Sequence, residues 1–529
     1  MARKPSSEES AGRAGVDLPP LKRRKLAGRE FYESLGSPRM ILAPMVDQSE
    51  FAWRMLTRSF MKPEESQQLL AYTPMIHARM FTERQRFRDQ NFQPVKDGLE
   101  DTSTKLECQM PSAYLDGNPQ LDRPLFVQFC ANNPEELLAA ARHVQPFCDA
   151  VDLNLGCPQG IAKRGNYGAF LQEDWNLVHD LIRKLHDNLD VPVTAKIRIL
   201  ETKEKTLDYA KTILSAGASI ITVHGRLREQ KGHKTGLADW KVLRYLRESL
   251  PPDTVIFANG NILQHTDIQR CLDATGADAV MSAEGNLYDP AIFAQPPALG
   301  QEGREYWRGR NGKGGYRMDA VFRRYLDIIY KHVLEQEPPA RQPLFILGDV
   351  AGETQSTPFS TAEVTLEEDD AHPPKKKQRR QKPEEKSTSP NLVAMQAHLF
   401  HLLRSLVTRH THIRDRLAKC RVGDMKAFEE VLLMTEAVTR TGLLECEDDH
   451  AKYDEPEDNG EAAGDDGATV IESSAAAVKA CKRPWWVCQP HVRPLPKEAL
   501  EKGSIQLSKK EKRRLEEEKE VQKEELVAG

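Results

Sequence analysis

The sequence predicts an α/β fold: a TIM-type (β/α)8 barrel followed by a small all-α helical domain, with disordered charged segments around them. Three observations predict it. Eight short apolar runs follow one another: "MILAPM" (40–45), "LLAYTPM" (69–75), "PLFVQFC" (124–130), "AVDLNLG" (150–156), "VPVTAKIR" (191–198), "SIITVHG" (219–225), "TVIFANG" (254–260) and "ADAVMSA" (277–283). Helix-like segments such as "PEELLAAARHV", "WNLVHDLIRKLHDNL" and "TLDYAKTILSAGA" stand between most of them. Beyond the last run, apolar residues recur at helical spacing at Val321, Phe322, Tyr325, Leu326, Ile329 and Val333. Strands alternating with helices imply a parallel sheet, and eight repeats over roughly 250 residues fit a closed barrel. A doubly wound open sheet is the alternative for the same alternation.

Taken in order, residues 1–36 are polar and rich in Pro, Ser and Lys/Arg, which predicts a disordered basic leader. The barrel is expected over 37–317. Its long connection from Phe81 to Arg123, rich in Asp, Pro and Gly, is expected to pass over the barrel mouth. The helical domain is expected over 318–334 and 390–443, interrupted by a disordered basic insertion at 335–389. An acidic linker (444–481), an ordered strap (482–498) held by Trp485 and Trp486, and a charged helical tail (499–529) complete the chain.

Hydrophobic residues make up 39% and charged residues 29%, the balance of a protein with a core plus charged segments. The net charge of −4 hides a segregation of sign. "PPKKKQRRQK" is basic and "CEDDHAKYDEPEDNGEAAGDD" is acidic. The nine cysteines form no C-x-x-C pair, which points to a reducing compartment and away from a zinc or other metal site. No 18-residue apolar run is present, and "MARKPSSEES" has no apolar signal core, so no membrane partner is expected. A monomer in the cytoplasm, the nucleus or both is the expectation.

In such a barrel, chemistry collects at the C-terminal ends of the strands. Those ends carry Pro44 and Met45, Thr73, Gln128, Asn154 through Cys157, Lys196 and Arg198, His224, Asn259-Gly260-Asn261, and Ala283-Glu284-Gly285. Gln128 and Lys196 interrupt apolar runs, and leaving either unpaired inside would cost a few kcal/mol. A lone strand-end Gln, His or Cys is ordinarily structural; so many polar groups on one rim are not. The late loops "ANGNI" and "SAEGN" supply the small residues of a phosphate site. Gln128, Lys196 and His224 can address a planar polar ring, and a Lys near the N1–O2 edge of an isoalloxazine stabilises the charge of reduced flavin. The pattern suggests FMN, although a sugar phosphate fits the late loops equally well.

The stretches "APMVDQSEFAWR", "LNLGCPQGIAKRGNYGAFL", "AKIRI", "TVHGRLREQKG", "GLADW" and "ANGNI" resemble the successive motifs of the tRNA-dihydrouridine synthases. "APMVDQSE", "VMSAEGNL" and "WWVCQPHVRP" look most like the eukaryotic branch acting on D-loop uridines 16 and 17. The resemblance covers about residues 38–334, and more loosely 391–443 and 482–496. It implies FMN, NADPH or NADH as reductant, and tRNA as the partner. The flavin N5 delivers hydride to uracil C6, and an acid protonates C5.

Cys157 matches the family's general acid; thiols titrate near ~8.5, so one can donate a proton at neutral pH. Gln128, Lys196, His224, Asn259, Gly260 and Asn261 match flavin-binding positions. Pro44, Met45 and Val46 lie beneath the ring, and Ala283 and Glu284 are expected at its phosphate end. Asn154 matches the residue that addresses the uracil edge, and Arg198 and Arg226 match residues near substrate RNA. Lys163, Arg164 and the neighbouring glycines are expected to let their loop approach phosphate. In this family the helical domain binds tRNA, which would employ Arg404, Arg409, Arg414 and Arg416. The basic runs at 21–25 and 375–382 suit nuclear import or an RNA tether. Three departures stand out: Ala71 where many relatives carry Cys, Leu227 where Thr is usual, and Glu284 where bacterial relatives commonly place Arg. A flavin barrel reducing a free pyrimidine is the competing reading.

Overall fold

A computed structural model of the chain describes residues 25–66, 68–96, 98–99, 112–310, 312–349, 389–448 and 474–501. Nine parallel strands form its main sheet: β1 (Met40–Leu42), β2 (Leu69–Tyr72), β3 (Ile76–His77), β4 (Leu125–Cys130), β5 (Ala150–Leu155), β6 (Val193–Arg198), β7 (Ile220–His224), β8 (Val255–Asn259) and β9 (Ala279–Ser282). Because β1 pairs with both β2 and β9, and β2 also pairs with β4, eight of them close into a barrel. The closed sheet, rather than the open one, is the answer. The two-residue β3 is an addition: it continues the second apolar run and pairs with the top of β4 through Ile76↔Phe129 and His77↔Cys130.

Strand alternation sorts the side chains. Outward residues such as Val127, Leu153, Ala195, Val223 and Ala258 pack under the surrounding helices in the main core. Inward residues Ile41, Leu70, Phe126, Ala150, Ile220, Val255 and Ala279 fill the lower barrel. Four of the outer helices begin at side-chain caps: Asn133, Asp174, Thr202 and Asp239 each accept from amides of the first turn.

The leader ends earlier than expected. Residues Gly28–Ser34 form a helix whose Phe31 and Tyr32 are buried in the barrel floor. Phe31 stacks on Phe126 at 5.8 Å, and the Tyr32 hydroxyl donates to the Asp278 and Pro38 carbonyls. Lys25, the last residue of the first basic run, donates to the carbonyls of His186 and Leu189 at the end of the helix Trp175–Asn188. Residues 21–24 and the run 375–382 lie outside the described residues, as do 449–473 of the acidic linker and 502–529 of the tail.

The described part of the connection after the second strand packs on the barrel's flank; residues 97 and 100–111, its middle, lie outside the described residues. Its helix Ala78–Glu83 lies beside the barrel helix Pro134–Val144, with Phe81 against Phe129 and His143, and the helix Gln85–Asn91 packs on Ala78–Glu83. It returns through Asp116 and Asp122, which grip the fully buried Arg54 at 2.7 and 2.5 Å.

A hairpin of β10 (Tyr306–Arg308) and β11 (Gly314–Tyr316), unforeseen in the sequence, leads into the helical region. That region comprises Met318–Ile328 with its continuation to Val333, Pro390–Leu402, Arg404–Arg409, Thr411–Ala418 and Met425–Asp448. It docks on the barrel helix Phe51–Arg58: Trp53 and His398 stack at 3.8 Å, and the Glu50 carboxylate meets His398 Nε2 at 3.0 Å. Part of the expected insertion is also packed, with Arg341 bound to Asp327 and Glu429. The end of the acidic linker forms the helix Ser474–Cys481. The strap follows, with Trp486 fully buried and Cys488 N–H donating to Tyr316.

Candidate active site

The upper barrel interior is polar, and its side chains interlock. On β5 the inward positions are Ala150, Asp152 and Asn154. Asp152 accepts from Thr194 Oγ1 at 2.6 Å and from Gln128 Nε2 at 2.8 Å. Gln128 Oε1 accepts from Asn154 Nδ2 at 2.8 Å. Asn154 Oδ1 in turn accepts from the amides of Gly156 (3.2 Å) and Cys157 (2.9 Å). Thus Gln128 and Asn154 are paired with each other, and both hold the chain that presents Cys157. Among the described cysteines, Cys157 is the one not buried.

The loop after Cys157 is built around that residue. Ala169 N–H donates to the Cys157 carbonyl at 3.1 Å. Gly168 has φ +66°, and a Cβ there would sit 2.8 Å from the Cys157 carbonyl oxygen, so only glycine fits. The glycine therefore serves the thiol's support rather than a phosphate. Lys163 and Arg164 lie exposed on the short helix Gly160–Gly165. Lys231, from the loop after β7, donates to the Pro158 carbonyl at 2.5 Å and ties the two loops together.

Three cations line the mouth without a carboxylate in hydrogen-bond contact. Lys196 Nζ, beside Asn154 in register, donates to Asn259 Oδ1 at 3.0 Å, its one hydrogen-bond partner among the described residues. Burial, then the nearby Arg198, lowers its pKa to about 8. Arg198 donates to the carbonyls of Gly156 and Leu227, and burial brings it down to about 10. Arg226 donates to the Gly236 carbonyl and to Asn261 Oδ1, and burial likewise brings it to about 10. Both arginines, expected near RNA, are thus braces of the site loops. Their N–H groups largely face carbonyls. Arg226 Nη1 also lies 2.9 Å from His224 Nε2. A guanidinium only donates, so Nε2 accepts and the imidazole hydrogen sits on Nδ1. Burial and the three cations hold His224 well below its usual pKa, and it is neutral.

The late loops complete the rim. Asn259 Nδ2 donates to the Met281 carbonyl, which leaves its Oδ1 for Lys196. Gly260 has φ +117°, and a Cβ there would meet Ala238 Cβ at 2.6 Å. Asn261 is left-handed at φ 64°, and its side chain is committed to both amide groups of Ala238 and to Arg226. Its side chain is a brace; only its backbone is free to face a ligand. Pro44, Met45 and Val46 follow β1, with the Met45 amide donating to Ser49 Oγ and Val46 53% exposed at the rim. Ala283 packs on the barrel-interior cluster. Glu284 does not stand alone: Arg493 of the strap clasps both its oxygens, at 2.6 and 3.1 Å. The strap continues to Pro496, which lies against Gly236. The C-terminal segment therefore spans the loops after β9 and β7.

Sequence reasoning missed Asp152 and Arg493. Asp152 had a signal, a carboxylate two residues before Asn154 and so on the same inward face. Arg493 had none, being 209 residues from Glu284.

This donor set fits FMN. Lys196 keeps two of three ammonium hydrogens uncommitted in a buried setting that favours an anion beside it. Gln128, His224 and Asn259 surround it with amide and imidazole groups suited to a planar polar ring. Among the described residues no cluster of His, Cys, Asp or Glu suits a metal ion, and no helix is long and apolar enough to cross a membrane.

The family model for dihydrouridine synthase (Dus) matches residues 41–308. The chain is 42% identical over 476 residues to a tRNA-dihydrouridine(16/17) synthase [NAD(P)(+)] of Schizosaccharomyces pombe, covering 89% of this chain and 92% of that one. It is 39% identical over 473 residues to the protein of the same description from Saccharomyces cerevisiae, covering 89% and 88%. A human tRNA-dihydrouridine(20a/20b) synthase [NAD(P)+]-like protein matches at 33% over 257 residues, covering 48% of this chain and 70% of that one.

Proposed function

The chain belongs to the dihydrouridine synthase family, and from that premise we propose that it holds FMN in the barrel mouth and reduces uridines 16 and 17 of the tRNA D-loop. It is an oxidoreductase of the tRNA-dihydrouridine synthase type using NADPH or NADH. The observation that carries the finer reading is the pairing of a partly exposed thiol, Cys157, with buried cations that lack a carboxylate contact. A site that reduces a pyrimidine needs both: positive charge for an anionic ring and a proton source for carbon.

FMN bound there would supply hydride chemistry toward uracil C6, with NADPH or NADH as the source of electrons. The other steps belong to side chains of this protein. Lys196, with its uncommitted hydrogens, holds the polar edge of the ring, and Gln128, His224 and Asn259 fix its orientation. Asn154 has a second N–H to offer the uracil edge. The Cys157 thiol gives its proton to C5, with Lys196 and Arg198 as its charged neighbours. The base must leave its stack to enter, and loop uridines do so at small cost.

For the RNA chain, exposed Lys163 and Arg164 flank the entrance. Arg404 lies over Tyr288 on the helical-domain side, at 6.0 Å. Arg414 and Arg416 are paired with Asp415 and Glu430 and contribute less. The enzyme acts as a monomer, in the cytoplasm, the nucleus or both.

Dihydrouridine mapping in tRNA from cells carrying the native protein, Cys157→Ala, or neither tests the reading. Loss of D-loop dihydrouridine at the same positions in both altered strains is expected. Persistence in both refutes RNA reduction; activity on free uridine would then favour a small-pyrimidine substrate.

A further inference from the structure

One buried carboxylate has no part in the reaction as described. Asp152 is wholly buried in the middle of the barrel, with no arginine or lysine bonded to it. Its neighbours are Gln128 on β4 and Thr194 on β6, with Lys196 one inward position higher. Burial raises its pKa to about 6, so at neutral pH it is an ion held where a neutral residue would be more stable. Its two hydrogen bonds show what it does there.

A carboxylate only accepts. Gln128 must therefore turn its NH2 group down to Asp152, at 2.8 Å, and its Oε1 up. Asn154 must then offer Nδ2 to that oxygen, at 2.8 Å, which leaves its own Oδ1 facing the amides of Gly156 and Cys157. Each amide has two orientations of nearly equal shape, and the carboxylate selects one for both. Reversing either would set oxygen against oxygen or N–H against N–H in a buried place, at about 1–3 kcal/mol for each unmet group. Thr194 holds the second carboxylate oxygen at 2.6 Å, so the group cannot turn away.

We propose that Asp152 is a positioning residue for the proton donor: acting through Gln128 and Asn154, its carboxylate fixes the backbone at Cys157 and thereby the thiol. The relay runs from the barrel centre to the loop that carries the acid. Its catalytic meaning rests on the proposed uridine reduction; the hydrogen-bond sense does not.

The test uses the full chain and follows amide hydrogen exchange at Cys157, which is well isolated because Pro158 has no amide. In Asp152→Asn, either amide orientation becomes possible. The Cys157 amide is expected to exchange about tenfold faster, the loss of one part-buried hydrogen bond, while the strands keep their native rates. The kcat on tRNA is expected to fall about tenfold with KM within about twofold. The exchanged pair Asp152→Asn with Gln128→Glu returns an acceptor-only group next to Asn154, and slow Cys157 exchange is expected to return with it. Unchanged Cys157 exchange in Asp152→Asn, acceleration spread over all strands, or no recovery in the exchanged pair would each overturn the relay. If Asp152→Asn does not fold, the exchanged pair decides alone: native-like protection at Cys157 supports the relay and lost protection overturns it. Native protein that forms no dihydrouridine counts against the proposed function and leaves the exchange result standing.

Discussion

Along every strand the inward positions alternate in the same way, yet the lower and upper halves of the barrel interior hold opposite chemistry. On β7 the inward sequence is Ile220, Thr222, His224; on β8 it is Val255, Phe257, Asn259. Below, Phe31 and Tyr32 seal an apolar floor. Above, Asp152, Gln128, Asn154, Lys196 and Asn259 form a buried polar lattice. The floor stabilises by removing apolar surface from water. The lattice does the reverse. Lys196 drops from 10.5 to about 8 and Asp152 rises from 3.8 to about 6, and burial is the leading cause of both. Each displacement corresponds to roughly 3 kcal/mol of unfavourable ionisation at neutral pH. Stability resides in one half and chemistry in the other, so substitutions in the two halves should separate cleanly.

The largest separation is expected at Cys157. Cys157→Ala should lower dihydrouridine formation by about 10²–10⁴, the usual worth of a positioned acid, with no change in unfolding midpoint. Single-turnover rates and a denaturation curve on the same sample check it. The mirror image is Phe31→Ala in the floor. It should cost about 3–5 kcal/mol of stability and leave the rate of the folded fraction near native, as urea titration and an assay at low temperature would show.

Lys196→Met sharpens the comparison through pH. A lysine whose folded pKa is depressed carries its full penalty below about 8, and sheds it as pH rises from there to 10.5. The flavin-free variant should therefore be more stable than native by up to about 3 kcal/mol at pH 7, and the gap should close toward pH 10. Reduction should be lost throughout. Equal stability of the two proteins at pH 7 would break the comparison. The smallest effect belongs to the rim. Arg493→Ala removes a half-exposed ion pair and should cost under about 1 kcal/mol, while loosening the strap over the late loops enough to raise limited proteolysis near Pro496.

How much of this was legible in the chain follows from the same contrast. Gln128, Lys196, His224 and Asn259 announced themselves because each breaks an apolar strand run on its inward face. The barrel itself was legible because eight short apolar runs alternate with helix patterns. What depends on distant partners was not. "GREFYES" has only two large apolar residues, and nothing local says that Phe31 and Tyr32 enter a barrel floor. Arg198 and Arg226 are expected near RNA from the family resemblance, and a sequence does not show the carbonyls that also hold them. The three glycines of the Cys157 loop read as room for phosphate, and Gly168 among them is required by the carbonyl of Cys157 itself. The short hairpin at 306–316 carries glycines and charges in place of an alternating pattern and left no strand signal.

The polar half of this barrel is proposed to reduce uridine in tRNA with Cys157 as the acid. The most direct measurement supplies flavin-loaded full chain and NADPH to a transcribed, unmodified tRNA, and maps dihydrouridine over time for native protein and Cys157→Ala. Dihydrouridine is expected at positions 16 and 17 with native protein, and at least about a hundredfold slower with the variant. Dihydrouridine forming equally fast with both proteins, or with neither, would contradict it.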